Sequence, residues 1–341
     1  MKKILTLLLL LCLIFSVTAC RTEDAKPTET SAEREPTQTT TQSEDPGTAV
    51  TEVVTPLLWK VSGNGFSGEF YLLGSIHACP DGANVYPQEM LDAYGKCDAL
   101  AVESDIIALE NDTQGLIEGL RPYVYADGTT IADHISKDLY DNAVALMTEL
   151  GIYSSVMDYY KPSFWASMIS SEIQSKTVFE NDNGVDRFFL TKAKDEKKTI
   201  IEIEDYRDVY AAEAGLSDKT QEFVLLDTVE SFDEADDPAK EYEESLTELY
   251  AAWKTGNTEE LLELLFDDET EYSGDELDAL EEYNDFILVS RNEGMVNKAL
   301  EFLKQGKNVF YVVGTAHMLG DIGLVQKLTD AGYTVELVRF D

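Results

Sequence analysis

The octapeptide FYLLGSIH at residues 70–77 returns near the other end of the chain as FYVVGTAH at residues 310–317. Each copy reads as a buried strand, then a glycine free to turn the backbone sharply, then an imidazole three residues on. Few folds accommodate two such segments from opposite chain ends. The pattern predicts a sheet built from both ends, with His77 and His317 delivered to the crevice where α/β sheets hold ligands. The chain has only 3 histidines, and two of them occupy equivalent places in the repeat. A single Gly-x-x-His is explained by a strand ending in a satisfied histidine. Two copies favour a shared site, because imidazole is a frequent metal ligand and general base.

The stretches between the copies read as α/β units with helical insertions. Segments TPLLWKVSG and EFYLLGSIH form a hairpin through Gly63, Asn64, Gly65 and Gly68. A helix over YPQEMLDAYGKC, with Pro87 in its first turn, leads to the short buried strand DALAVESD. Residues 105–180 read as helices, with Leu139, Ala143, Leu146 and Leu150 on one stripe. The helix GVDRFFLTKAKDEK, with Val185, Phe188, Phe189 and Ala193 on one face, runs into the strand TIIEIED. Residues 217–303 are helical again, with capping-type starts at Asn257 and Ser273. The second octapeptide, a helix through Leu324, Val325 and Leu328, and a strand TVELVRF close the chain. The expected fold class is α/β, a central mixed β-sheet with large helical insertions.

The amino terminus speaks to compartment. Lys2 and Lys3 precede an apolar run from Ile4 to Val17, and V-T-A-C ends at Cys20, which reads as a signal peptide over residues 1–19. The small residues before Cys20 resemble a bacterial lipobox and imply a lipid on its thiol; the alternative is an ordinary cleaved signal with an incidental cysteine. Residues 20–52 are rich in Thr, Ser, Glu and Pro and form a tether reaching about 30 Å, so the folded domain is expected over residues 53–341. Cys79 and Cys97 are then the thiols left to pair in an oxidising exterior. With 26 Lys+Arg against 66 Asp+Glu, the net charge of −40 excludes an electrostatic nucleic-acid binder. Apolar content of 44% still supports a core.

The two Gly-x-x-His motifs, V-E-S-D with Glu103, G-V-D at residues 184–186, I-E-I-E-D with Glu204, Arg291-Asn292 and V-V-G-T-A-H-M-L-G-D-I-G-L together resemble the TraB/GumN family from about Thr55 to Phe340. That family includes Tiki-type metal-dependent peptidases and is remotely related to erythromycin-esterase-like and ChaN-like proteins. The resemblance implies a hydrolase site with a divalent metal ion (Mn, Co or Zn) held by His77, His317 and Glu103. Two neutral imidazoles and one carboxylate with an open position also form a recurrent hydrolytic shell on chemical grounds.

Glu103 follows the apolar run Ala99 to Val102, so its charge falls at a strand end. Glu204 ends its strand in the same manner and is a candidate ligand or general base; Glu202 competes for that role if the strand alternates. Arg291 suits an anion clamp or a structural ion pair. Asp186 suits a partner for a motif histidine or a helix start. His134 sits in a polar, surface-like context, and Cys79 near His77 is a minority candidate for a thiolate ligand. No P-loop, G-x-S-x-G or H-E-x-x-H occurs, and the acidic stretch around Gly274 puts Leu280 where a calcium loop needs its bidentate Glu. The reading is a lipid-anchored, extracytoplasmic metal-dependent hydrolase acting on peptide or protein substrates. The alternatives are a metal-free ester or amide hydrolase using the same histidines, and a surface protein that binds metal, haem or peptide without chemistry.

Overall fold

The computed structural model describes residues 53–233, 235, 237–266 and 272–340. The signal, Cys20 and the tether expected over residues 1–52 lie outside the described residues. Strand β1 (Leu58–Gly63) turns into β2 (Phe66–Ser75) through Asn64 and Gly65. Both have positive φ, 49° and 82°, as a tight two-residue hairpin with the right twist requires. The first octapeptide lies in and just beyond β2.

Helix α1 (Gln88–Lys96) connects β2 to β3 (Ala99–Val102). A first insertion carries α2 (Ile106–Glu110), α3 (Thr113–Leu120), α4 (Lys137–Glu149) and α5 (Pro162–Gln174) before α6 (Val185–Glu196) leads into β4 (Thr199–Glu202). A second insertion carries α7 (Tyr206–Glu213), α8 (Asp218–Asp233), α9 (Pro238–Lys254), α10 (Thr258–Phe266) and α11 (Asp275–Asn284). A π-helical turn over Asp285–Ser290 then joins α11 to α12 (Arg291–Lys304). Strand β5 (Val309–Gly314), the single turn α13 (Thr315–Met318), α14 (Leu324–Asp330) and β6 (Thr334–Leu337) complete the chain.

The six strands lie in the order β4-β3-β5-β2-β1-β6. β4, β3, β5 and β2 are mutually parallel, and β1 is antiparallel to both β2 and β6. This is the expected mixed sheet drawn from both chain ends. β5 slots between β2 and β3, so the chain's first crossover skips a position, and the carboxyl ends of four parallel strands face one crevice.

Every residue of β5 is buried, as a continuous apolar run covered on both faces should be. Phe310 packs on one face against Tyr94 of α1 and Phe189 of α6, with centroids 5.5 and 5.0 Å away. Tyr311 points to the other face, where it stacks on Phe70 at 5.9 Å and donates its hydroxyl to the Met295 carbonyl of α12 at 2.8 Å. Burying each such ring contributes about 1.5–3 kcal/mol. The second insertion is anchored to the repeat itself, because the Trp253 indole donates to the Gly74 carbonyl at 2.9 Å.

Local expectations need correction in several places. Pro87 caps α1 from outside, where its fixed φ sets the entry and its missing N–H costs nothing. In α4 Leu139 and Ala143 are buried and Leu146 and Leu150 pack partly buried against the core, with Met147 buried beside them. Gly274 with φ 61°, not Ser273, precedes α11. Cys79 and Cys97 are both buried free thiols. Cys79 is held by a two-way backbone bridge to Glu180, while the Cys97 thiol donates to the Ala93 carbonyl at 3.4 Å.

Candidate functional site

The two octapeptides are neighbours in the sheet, but one residue out of step. Tyr71 pairs with Phe310, Gly74 with Val313 and Ser75 with Gly314. The stagger gives the copies different exits: Ser75, Ile76 and His77 leave β2 without a helical turn, whereas Gly314 opens directly into α13, which carries His317. Thr315 Oγ1 donates to the Ser75 carbonyl at 2.9 Å and ties the exits together.

Gly314 turns the chain from β5 straight into α13, yet neither motif glycine is among the positive-φ residues. Both supply space. A Cβ on Gly74 would lie 2.9 Å from Thr315 Oγ1. A Cβ on Gly314 would lie 3.3 Å from His77 Nε2, 3.4 Å from Glu103 Oε1 and 3.5 Å from His317 Cδ2. Both imidazoles and the carboxylate after β3 therefore converge on one small volume over the Gly314 backbone.

Helix α6 positions His77. The Val185 N–H donates to the Ile76 carbonyl at 3.0 Å, and a Cβ on Gly184 would lie 2.2 Å from the His77 carbonyl oxygen. Only glycine lets the helix start press so closely on the strand exit. Asp186 in the first turn then meets His77 Nδ1 at 2.6 Å through Oδ2, while its Oδ1 accepts from Ser75 at 3.0 Å. Burial opposes a charged imidazole, yet the charge and hydrogen bond of Asp186, with Glu103 behind, raise the His77 pKa above its ordinary value. His317 is set differently. Its Nδ1 lies 2.6 Å from Asn292 Oδ1, whose amide donates to the Ile322 carbonyl at 3.1 Å. That orientation makes Nδ1 the protonated nitrogen. Burial and the Arg291 charge push His317 down to about 3, so the ring is neutral.

The π turn over Asp285–Ser290 immediately precedes Arg291 and Asn292. A widened turn shifts the helical phase, and π turns recur at functional sites. Here both consecutive side chains are buried, 9% and 2% exposed. Arg291 forks between two strand ends: Nη2 donates to Glu103 Oε2 at 2.6 Å and Glu204 Oε2 at 2.6 Å, and Nε donates to Glu204 Oε1 at 3.0 Å. The other Glu103 oxygen accepts the Gly314 N–H at 2.7 Å. Burial would raise the Glu103 carboxyl, but Arg291, the two imidazoles and that N–H bring it down to about 2. For Glu204 burial prevails over Arg291, and its pKa lies above the ordinary carboxylate value.

A small cleft opens over this layer, with His77, Glu103, Asp186, Glu204 and Arg291 among its lining residues. His317, 1% exposed, lies beneath. Glu202 is elsewhere: its side chain accepts the Asp105 N–H at 3.0 Å, because the regular strand ends there and alternation does not carry on to Glu204. His134 is half-buried outside the cleft lining, where it stacks on Tyr125 at 4.1 Å and bonds Thr129 Oγ1 at 2.7 Å. Burial pushes the Cys79 thiol up to about 12, which keeps it protonated and unsuited to be a thiolate.

Sequence reading gave Asn292 no role and passed over Glu213. Glu213 is fully buried and accepts the Tyr123 hydroxyl, and burial pushes its carboxyl up to about 7. A carboxyl raised in the fold favours the native state fully below its unfolded value, and that contribution is lost as pH rises through about 7. Glu213→Gln keeps an acceptor for Tyr123 without the ionisation. Relative to wild type it is expected to gain about 2 kcal/mol between pH 5 and pH 8, at about 1.4 kcal/mol per pKa unit. Urea unfolding at the two pH values measures this; an unchanged difference would refute it.

Among the described residues, no group of three or more His, Cys, Asp or Glu side chains is arranged so that it could hold a metal ion as it stands. The donor types present are nitrogen and carboxylate oxygen. Each Nδ1 faces its own acceptor, which leaves Nε2 on the far side of each ring. Three buried or half-buried carboxylates, Glu103, Glu204 and Asp186, are balanced by one guanidinium. His77, His317 and the spare lone pairs of Glu103 are the groups that would hold an ion.

Fold and site together define an α/β protein with an acid–imidazole centre at the carboxyl ends of parallel strands. Residues 57–337 match the TraB/PrgY/gumN family, and the chain belongs to it. Comparison with curated proteins and with solved structures gives no match.

Proposed function

We propose that the protein is a metal-dependent hydrolase, acting on peptide bonds outside the cytoplasm and tethered by a lipid on Cys20. The observation that carries this reading is the convergence of His77, His317 and Glu103 over Gly314, with each imidazole oriented from behind by Asp186 or Asn292. His77, His317 and Glu103 would hold a divalent ion, Mn, Co or Zn, which would supply Lewis acidity to activate water and polarise a carbonyl. Glu204, its carboxyl raised by burial, takes and returns a proton, and Arg291 stabilises negative charge developing on the substrate. Among the described residues no helix is long and apolar enough to cross a membrane, so attachment in this reading rests on Cys20.

The test is turnover of a mixed peptide library by the mature chain before and after chelation and after return of each ion. Cleavage that is lost with chelator, restored by one ion and reduced at least 100-fold in His77→Ala and in His317→Ala supports the reading. Absence of cleavage under every condition overturns it. The 2.6 Å contact of His77 with Asp186 favours a second reading, in which that pair is a general base in ester or amide hydrolysis without metal. Cleavage indifferent to chelator and abolished by Asp186→Ala selects that version.

A further inference from the structure

Two strand ends are built alike. Beyond β3, Glu103 is followed by Ile106 and Leu109 on α2; beyond β4, Glu204 is followed by Tyr206 and Val209 on α7. Each pair is spaced i, i+3 and so shares one face of its short helix. All four line the cleft above the Glu103–Arg291–Glu204 layer. α2 is pinned in place: Asp105 accepts the Ala108 N–H at 3.0 Å and binds Lys194 of α6 at 2.7 Å, and Arg187 of α6 pairs with Glu110. The cleft thus has a charged floor and a fixed apolar wall, although the chain as a whole is strongly acidic. Binding sites commonly combine apolar walls with a few placed polar groups.

From this we infer that the cleft selects substrates by an aliphatic or aromatic side chain, seated against Ile106, Leu109 and Val209, next to the bond presented to His77 and Glu103. The inference rests on the hydrolase reading for the word substrate, but not for the pocket. A charged substrate side chain would lose hydration against this wall with no partner there. An apolar one gains burial and places its own backbone over the polar floor. Discrimination by such a wall is worth about 10–200-fold per methylene.

The experiment uses the mature wild-type chain, Ile106→Arg, and Val209→Ala as the milder variant. A fluorescent peptide library varied at each position is read both for cleavage and, by anisotropy, for binding. Wild type is expected to favour large apolar residues at one position. Ile106→Arg should lower that preference at least tenfold and shift it toward acidic residues, and Val209→Ala should shift it toward larger side chains. The same ranking in all three proteins, or none in wild type, overturns the inference even if cleavage is brisk. Apolar-selective binding lost in Ile106→Arg without any cleavage upholds the pocket and sinks the hydrolase reading instead.

Discussion

Arg291→Met is expected to destabilise the protein by about 3–5 kcal/mol near neutral pH, the usual cost of stranding buried charge by deleting its partner. Arg291 is the guanidinium joining Glu103 and Glu204, and all three side chains are largely buried. Without it, two carboxylates face each other across the ends of neighbouring strands β3 and β4. The effect has a pH signature. In wild type Glu103 is held at about 2, so its contribution is present above the unfolded value near 4.5 and lost as pH falls toward about 2. In Arg291→Met both carboxyls titrate higher, and the deficit shrinks as acid protonates them. Arg291→Lys should recover only part of the loss, because an ammonium cannot reproduce the fork that serves both carboxylates. Urea unfolding of the three proteins at pH 7 and pH 4.5 reads this directly; a loss under 1 kcal/mol at pH 7 would show that the pairs are solvated.

Asn292→Ala and Asp186→Ala are expected each to weaken binding of an added divalent cation by about 10–100-fold, the typical effect of removing the group that orients a ligating histidine. Asn292 accepts from His317 Nδ1 and is itself fixed by the Ile322 carbonyl. Its loss frees a buried ring to rotate and leaves an N–H without an acceptor. Asn292→Asp keeps an acceptor at that place and should restore most of the affinity, which separates an orienting role from simple packing. Titration calorimetry with Mn, Co and Zn measures the series. Equal affinities throughout would mean that neither residue orients a ligand.

The strands, their order of appearance and the convergence of His77, Glu103 and His317 were legible because apolar runs ending in Gly-x-x-His or Glu allow few other placements. The reason for the glycines was not. Gly74, Gly184 and Gly314 are required by what approaches them, and close approach is a tertiary fact with no local pattern. The one-residue stagger between the octapeptides was hidden for the same reason: sequence alignment matches Phe70 to Phe310, whereas the sheet pairs Tyr71 with it. Glu202 and Glu204 could not be separated by periodicity, since the choice depends on where β4 stops. Asn292 was visible only as a neighbour of Arg291; the π turn that buries both has no simple sequence signal. Glu213, one acid among 66, gave no hint of its burial.

If the two octapeptides assemble one cation site, as proposed, binding needs both histidines. Counting the ions bound per chain in wild type, His77→Ala and His317→Ala, by calorimetry with metal analysis of the dialysed proteins, decides this. One equivalent in wild type, with binding lost in both variants while their unfolding transitions persist, is the predicted result. No bound ion in wild type under any of the three metals, or full binding in either variant, would contradict it.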